Sequence, residues 1–381
     1  MKQILFFVIG ALCIGILLSS CTKASSNTVT LGNTDTSASS SGSGSQFAAG
    51  TVFTFAGNGN QGFVDATGTS AEFGSPKAIT VDKLGNVYVV DGLNYAIRVI
   101  TPEGVVSTLA GNGTSGYVDG QGTSAEFEAP QGIAVDESGN VYVSEGNLDN
   151  NQRIRKITPS GYVTTLAGTG VKGFLNSTFG LAEFYGPGPM AFDQSGFLYV
   201  GDMINERIRK LEGEGALSLV TTFAGNGKQG DVNGPASSAE FNIPGGIAFD
   251  PSGNLYVADT YNFSIRKITP SGTVSAFAGN KNNSGYLNGT GTGAEFLNPV
   301  AIASDSLGNL YVSEGSINNC IRKITPAGVV TTLTGTQAAG FADGTLGTAI
   351  FNNPAAIAIG PKGNLFVADA WNYRIRKIIL Y

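Results

Sequence analysis

Residues 132–145 read Gly132-Ile133-Ala134-Val135-Asp136-Glu137-Ser138-Gly139-Asn140-Val141-Tyr142-Val143-Ser144-Glu145. After a loop come Arg153-Ile154-Arg155-Lys156-Ile157-Thr158, Pro159-Ser160-Gly161, and Val163-Thr164-Thr165-Leu166-Ala167. Short runs of Ile, Val, Tyr and Thr alternate here with Asp-Glu-Ser-Gly-Asn and Pro-Ser-Gly. The runs suit strands, and each turn supplies a Gly where a positive φ is needed. The stretch therefore predicts a meander of four antiparallel strands: 132–135, 141–144, 153–158 and 163–167.

The same pattern recurs along the chain. A Val-x-x-Phe/Leu-x-Gly segment places its Gly at 57, 111, 168, 225, 279 and 335. A Pro recurs at 76, 130, 187, 244, 299 and 354, and an Arg at 98, 155, 209, 266, 322 and 376. Six units of 54 to 57 residues thus fill 51–381. Four-stranded units at this period are propeller blades, and a lone blade cannot bury both faces. The last unit stops after its third strand at Tyr381, while Thr51–Ala56 is a fourth strand with no unit of its own. Joining the two closes a ring and removes both open edges. The expected fold is all-β: a six-bladed β-propeller of four-stranded antiparallel blades, with an N-terminal strand closing the last blade.

Asn254-Leu255-Tyr256-Val257-Ala258-Asp259 and Ile265-Arg266-Lys267-Ile268, after Pro244-Gly245-Gly246-Ile247-Ala248, resemble the NHL repeat. The resemblance extends over all six units and implies a six-bladed NHL propeller. It does not fix one activity. The family includes protein-, RNA- and carbohydrate-binding members and relatives with lyase or lactonase activity.

Composition narrows the chemistry. The chain of 381 residues has 55 Gly and only 13% charged residues. It has no His, which excludes a Ser-His-Asp triad, a Cys-His pair and any His-ligated metal. A net charge of −6 opposes a phosphate-binding surface, so nucleic acid is not an expected partner.

Residues 1–20 read as a lipoprotein signal peptide. Lys2 precedes the apolar run Ile4–Leu18, which at 15 residues is short of a membrane span, and Leu18-Ser19-Ser20-Cys21 resembles the bacterial lipobox. That resemblance implies cleavage before Cys21 and lipid on its thiol. Residues 21–50, mostly Ser, Thr, Asn and Gly, then read as a flexible tether, and 51–381 as the propeller. The expected location is the cell envelope, with lipid holding the protein at a bacterial outer membrane or cell surface. Cys320 would be left without a disulfide partner.

Two recurrent polar sets allow two readings each. A carboxylate ends every second strand: Asp91, Glu145, Asp202, Asp259, Glu314 and Asp369. The matching third-strand residues are Arg98, Arg155, Arg209, Arg266, Arg322 and Arg376. One reading is a ring of acids that grips cations; the other is one structural ion pair per blade. Long loops between blades carry Gly-x-x-Asp/Asn followed seven residues later by Glu in five units, as in Asp65 with Glu72 and Asp119 with Glu126. These acids could hold a metal such as Ca²⁺. Alternatively they form an Asx turn and a capped helical turn whose Phe plugs the blade.

The long loops and the second-to-third strand loops share one face. The latter present Leu93, Leu148, Ile204, Tyr261, Ile317 and Trp371, with Tyr373 beside the last. Such aromatics next to Asn suit a glycan or a protein hot spot, unless they pack under the long loops. After the marker Pro, Lys77 and Gln131 are expected at the channel mouth. Candidate contacts are therefore Trp371, Tyr373, Tyr261, Lys77, Gln131 and Leu93. The expected activity is non-catalytic binding of a protein or glycan, with no cofactor. The alternative is a carboxylate-metal lyase or lactonase like the gluconolactonase propellers.

Overall fold

A computed structural model describes residues 47–146, 151–213 and 218–381 of the chain. The expected signal peptide, Cys21, nearly all of the tether, and Leu148 lie outside the described residues. Six antiparallel sheets form the blades, and each runs in order from an inner first strand to an outer fourth. In the fourth blade these are Pro244–Phe249, Leu255–Asp259, Ser264–Ile268 and Thr273–Ala278. Blade 6 takes Pro354–Ile359, Leu365–Asp369 and Arg374–Ile378 from the C-terminus and Thr51–Ala56 from the N-terminus. Val52 pairs with Ile378, and Thr54 with Arg376, so the ring closes through main-chain hydrogen bonds.

The four-strand expectation needs one correction. Five of the sheets carry a fifth, two-residue outer strand, such as Gly120–Gln121 against Tyr162–Gly170. The long loop before each blade runs outward along that blade and pairs with its fourth strand. Blade 1 keeps only the single bridge Thr67–Val105. Two-residue strands carry no period-2 pattern, so the sequence gives no signal for them.

Why the units stack follows from small residues inside and large ones between. Ala134, Ala248, Ala303 and Ala358 lie on the inner strands, where the blades crowd the axis. They help line a channel of about 230 Å³ whose side chains are apolar except for Thr80. Between blades 1 and 2, Tyr88, Val90, Ile97, Phe127, Ile133 and Val143 form one buried cluster. Phe73, Phe127, Phe184, Phe241, Phe296 and Phe351 from the long loops are fully buried. Burying such a ring contributes about 1.5–3 kcal/mol each.

Turns between first and second strands repeat one device. Asp136 Oδ1 accepts from the Ser138 and Asn140 amides, while Oδ2 accepts from Asn140 Nδ2 and the Tyr142 hydroxyl. Blade 6 has Gly360 in place of the Asp and Phe366 in place of the Tyr. The acceptor and the hydroxyl that needs it are absent together, so no buried O–H is stranded.

Candidate interaction face

The arginines set the frame of the long-loop face. Arg98 is fully buried, with Nη1 2.9 Å from Asp91 Oδ2. The same pair recurs as Arg155–Glu145, Arg209–Asp202, Arg266–Asp259, Arg322–Glu314 and Arg376–Asp369, at 2.6 to 2.8 Å. Each acid also tethers the loops. Asp259 accepts from the Asn242 amide at 2.7 Å and from Asn262 Nδ2 at 2.8 Å. Burial pushes its carboxyl up to about 6, opposed by Asn262 and Arg266. Burial likewise pushes Glu145 up to about 7 against Arg155.

Arg98 reaches further, and this corrects the reading of the long loops. Asp65 forms no Asx turn: its Oδ1 takes Arg98 Nη2 at 2.6 Å and Nε at 3.2 Å, and its Oδ2 takes the Thr108 amide. Asp119 does the same for Arg155 and Thr165. The short 3₁₀ turns that follow, such as Gly68–Ser70 and Gly122–Ser124, have no side-chain cap. Glu72 bonds Asn58 Nδ2 instead, at 2.9 Å. Asp65 and Asp119 are thus each committed to a guanidinium, Arg98 and Arg155 respectively. Among the described residues no three acids or Cys converge on a metal-sized site.

Sequence reasoning missed what flanks the guanidinium. Arg98 stacks between Phe63 and Phe73, at 4.9 and 5.1 Å from their centroids, and Arg376 between Phe341 and Phe351. The signal was available: the residue after Gly in Gly-x-x-Asp/Asn is Phe63, Tyr117, Phe174, Tyr286 or Phe341 in five units.

The second-to-third loops are built to push one side chain outward. In blade 6 the turn Ala370–Asn372 ends at Tyr373 in the left-handed region, φ 52°. Asn372 Nδ2 donates to Asp369 at 2.9 Å and to the Gly340 carbonyl of the long loop at 2.7 Å. The Trp371 amide donates to the Asn352 carbonyl. Ala370 and Asn372 are therefore buried, while Trp371 between them is 52% exposed. Asn94 and Asn262 lock their loops in the same way, leaving Leu93 and Tyr261 exposed. Ile317 also stands exposed. Tyr373 itself is half-buried, with its carbonyl against Gly57. A Cβ on Gly57 would meet that oxygen at 2.5 Å, and its φ of +98° needs Gly as well.

Lys77 and Gln131 each occupy a bulge at the start of an inner strand. The register jumps from Pro76–Asp91 to Ala78–Val90, and from Pro130–Glu145 to Gly132–Ser144. The extra residue in each is Lys77 or Gln131, both half-buried. A bulge re-aims its side chain off the regular pleat. The Lys77 stem lies over Gly92, and burial lowers its pKa. Before the inner strand of blade 4, Ile243 holds φ 56°, an uncommon state for a β-branched residue. Its amide donates to Glu206 Oε2 at 2.7 Å. Burial pushes that carboxyl up to about 8, against the Ile243 bond and with Asp259 adding to the rise.

Comparison with known proteins agrees with this geometry. The NHL repeat family model matches residues 241–268 and 351–378. The chain is 30% identical over 330 residues to the chloroplastic protein SUPPRESSOR OF QUENCHING 1 of Arabidopsis thaliana. That match covers 80% of this chain but spans only 30% of the plant protein's length. A Bacteroides thetaiotaomicron protein of unknown function is similar with TM-score 0.65 at 24% identity, covering 86% of this chain and 75% of that one. An auxiliary nutrient binding protein from Bacteroides ovatus gives TM-score 0.65 at 18% identity, covering 86% and 76%. At these identities the solved structures speak to fold alone. The chain is a six-bladed β-propeller that carries NHL repeats at residues 241–268 and 351–378, in its fourth and sixth blades.

Proposed function

We propose that the propeller is a non-catalytic binding module that captures a glycan or protein on its long-loop face, held at the cell envelope by lipid on Cys21. The observation that carries this is Trp371, half-exposed between two buried residues on a loop fixed by side-chain and main-chain bonds. A large aromatic held out by a rigid support loses little entropy on binding. Tyr261 and Leu93 stand out from equivalent loops, and Lys77 and Gln131 add polar groups on the bulges of two inner strands. The Bacteroides ovatus protein that shares the fold is an auxiliary nutrient binding protein, and a nutrient is one ligand such a face suits. A metal-dependent lyase or lactonase fits less well, because no acidic side chain among the described residues lines the channel and the loop acids Asp65 and Asp119 are bound to arginines.

Affinity electrophoresis of the tether-free propeller through gels cast with soluble polysaccharides tests the reading. At least one polysaccharide should retard the parent, and Trp371→Ala should abolish the retardation with an unchanged melting temperature. Retention by the variant, or a large fall in its melting temperature, contradicts it. The anchor is tested separately: Cys21→Ala should lose acyl labelling and membrane fractionation.

A further inference from the structure

The opposite face of the ring has its own cavity. Where the channel opens among the tight turns, blades 2 to 5 border an open hollow of about 590 Å³. This falls within the usual 300–1,000 Å³ of small-ligand sites. Its floor includes Phe192 and Phe249, the last residues of two inner strands. Val81, Val135, Ser304 and Ile359 hold that position in the other blades, so the aromatic floor is confined to blades 3 and 4. Four turn aspartates and Glu137 stand in the wall, and no Lys or Arg lines it. Lys362, on the blade-6 turn, raises the positive field at Lys377 instead.

The hydrogen bonds decide which ligand suits this cup. Asp136 and Asp305 each accept four bonds from their own turns and Tyr hydroxyls. Asp193 accepts three. These oxygens are committed, so they are poor ligands for a metal that needs six or more of them. They are equally poor acceptors for sugar hydroxyls. Their negative charge still acts through space. Glu137 is exposed at the rim, with no hydrogen bond or ion pair to the described residues. A negative cup with spent lone pairs, a free carboxylate at the rim and phenyl rings below matches a diffuse, weakly hydrated cation. Aromatic faces attract such cations.

We propose that the cup binds a small organic cation of the alkylammonium class, resting on Phe192 and Phe249 with Glu137 as its counter-ion. The site is separate from the long-loop face and does not depend on the function assigned there.

Calorimetric titration of the full chain with choline, against its uncharged isostere 3,3-dimethylbutan-1-ol, tests it. Choline should bind saturably, and the alcohol should bind at least about tenfold more weakly. Glu137→Gln and Phe249→Ala should each weaken choline about fivefold or more, and added NaCl should weaken it further. CaCl₂ should compete no better than NaCl of equal ionic strength, and Trp371→Ala should bind as the parent does. Glu137 is exposed, so its variant reports even if Phe249→Ala fails to fold. Absence of saturable choline binding, equal affinity for the alcohol, specific competition by Ca²⁺, or unchanged affinity in Glu137→Gln would overturn the proposal.

Discussion

Blades 6, 1 and 2 and blades 3, 4 and 5 complete the same arginine in two ways. In the first half the loop residue is Asp343, Asp65 or Asp119, and it binds both Nη2 and Nε of its Arg. In the second half it is Asn176, Asn233 or Asn288, which binds Nη2 only. The Nε atoms of Arg209, Arg266 and Arg322 are then buried without a partner. One half holds two carboxylates per guanidinium and the other holds one. The fold therefore needs the second-strand acid everywhere, whereas the loop acid is an addition. The half with the extra acids also carries five of the six candidate contacts: Trp371, Tyr373, Leu93, Lys77 and Gln131.

The largest expected effect falls on ring closure, within the two-acid half. Deleting residues 51–57 removes buried Val52 and Ala56, half-buried Phe53 and Phe55, and the pairing with Arg374–Ile378. A loss of several kcal/mol is expected from apolar burial alone. Denaturation midpoints of the deletion variant should fall far below those of the parent.

Removing the second-strand acid should separate the halves. Asp259→Ala leaves Arg266 with only an amide and carbonyls, so a cost of about 3–5 kcal/mol is expected. Asp91→Ala leaves Arg98 still paired with Asp65. Its cost should be smaller by about 1 kcal/mol or more, the worth of a charge-assisted bond. Urea unfolding of the two variants measures the difference, and equal costs would dissolve the distinction between the halves.

Exchanging the loop residues is the finer version. Asp65→Asn should cost about 1 kcal/mol, because Asn has one acceptor oxygen where the carboxylate serves Arg98 through Oδ1 and the Thr108 amide through Oδ2. Asn233→Asp should be neutral or stabilising by a similar amount, because it offers Arg266 Nε an acceptor.

The smallest effect is a pH dependence in blade 3. Glu206 has no cation beside it among the described salt bridges, and its folded pKa of about 8 lies above the ordinary carboxylate value. The folded state therefore holds this proton more tightly than the unfolded chain does. Stability from this group is complete below about pH 4.5 and declines as pH rises toward 8. Glu206→Gln should flatten that part of the stability–pH curve, and an unaltered slope would assign the decline elsewhere.

Much of the ring could be read from the sequence, because period, Pro, Gly and Arg recur at fixed offsets. Closure was legible too, from Thr51–Ala56 reading as a fourth strand with no unit of its own. The loops were less legible. Asp65 and its partner Arg98 lie 33 residues apart, and no local pattern links them. The Lys77 bulge depends on a register shift between strands, which a single sequence does not display. The turn-face cup escaped notice because Phe192 and Phe249 look like ordinary strand ends until the blades are set around the axis.

The central claim is that ligand is held on the long-loop face at Trp371, and this is the only Trp in the chain. Acrylamide quenching of its fluorescence, with and without a retained polysaccharide at saturation, tests that claim directly. The account predicts red-shifted, readily quenched emission in the free protein and strong protection when ligand is bound. Emission that is quenched equally in both states, with binding shown in parallel, would contradict it.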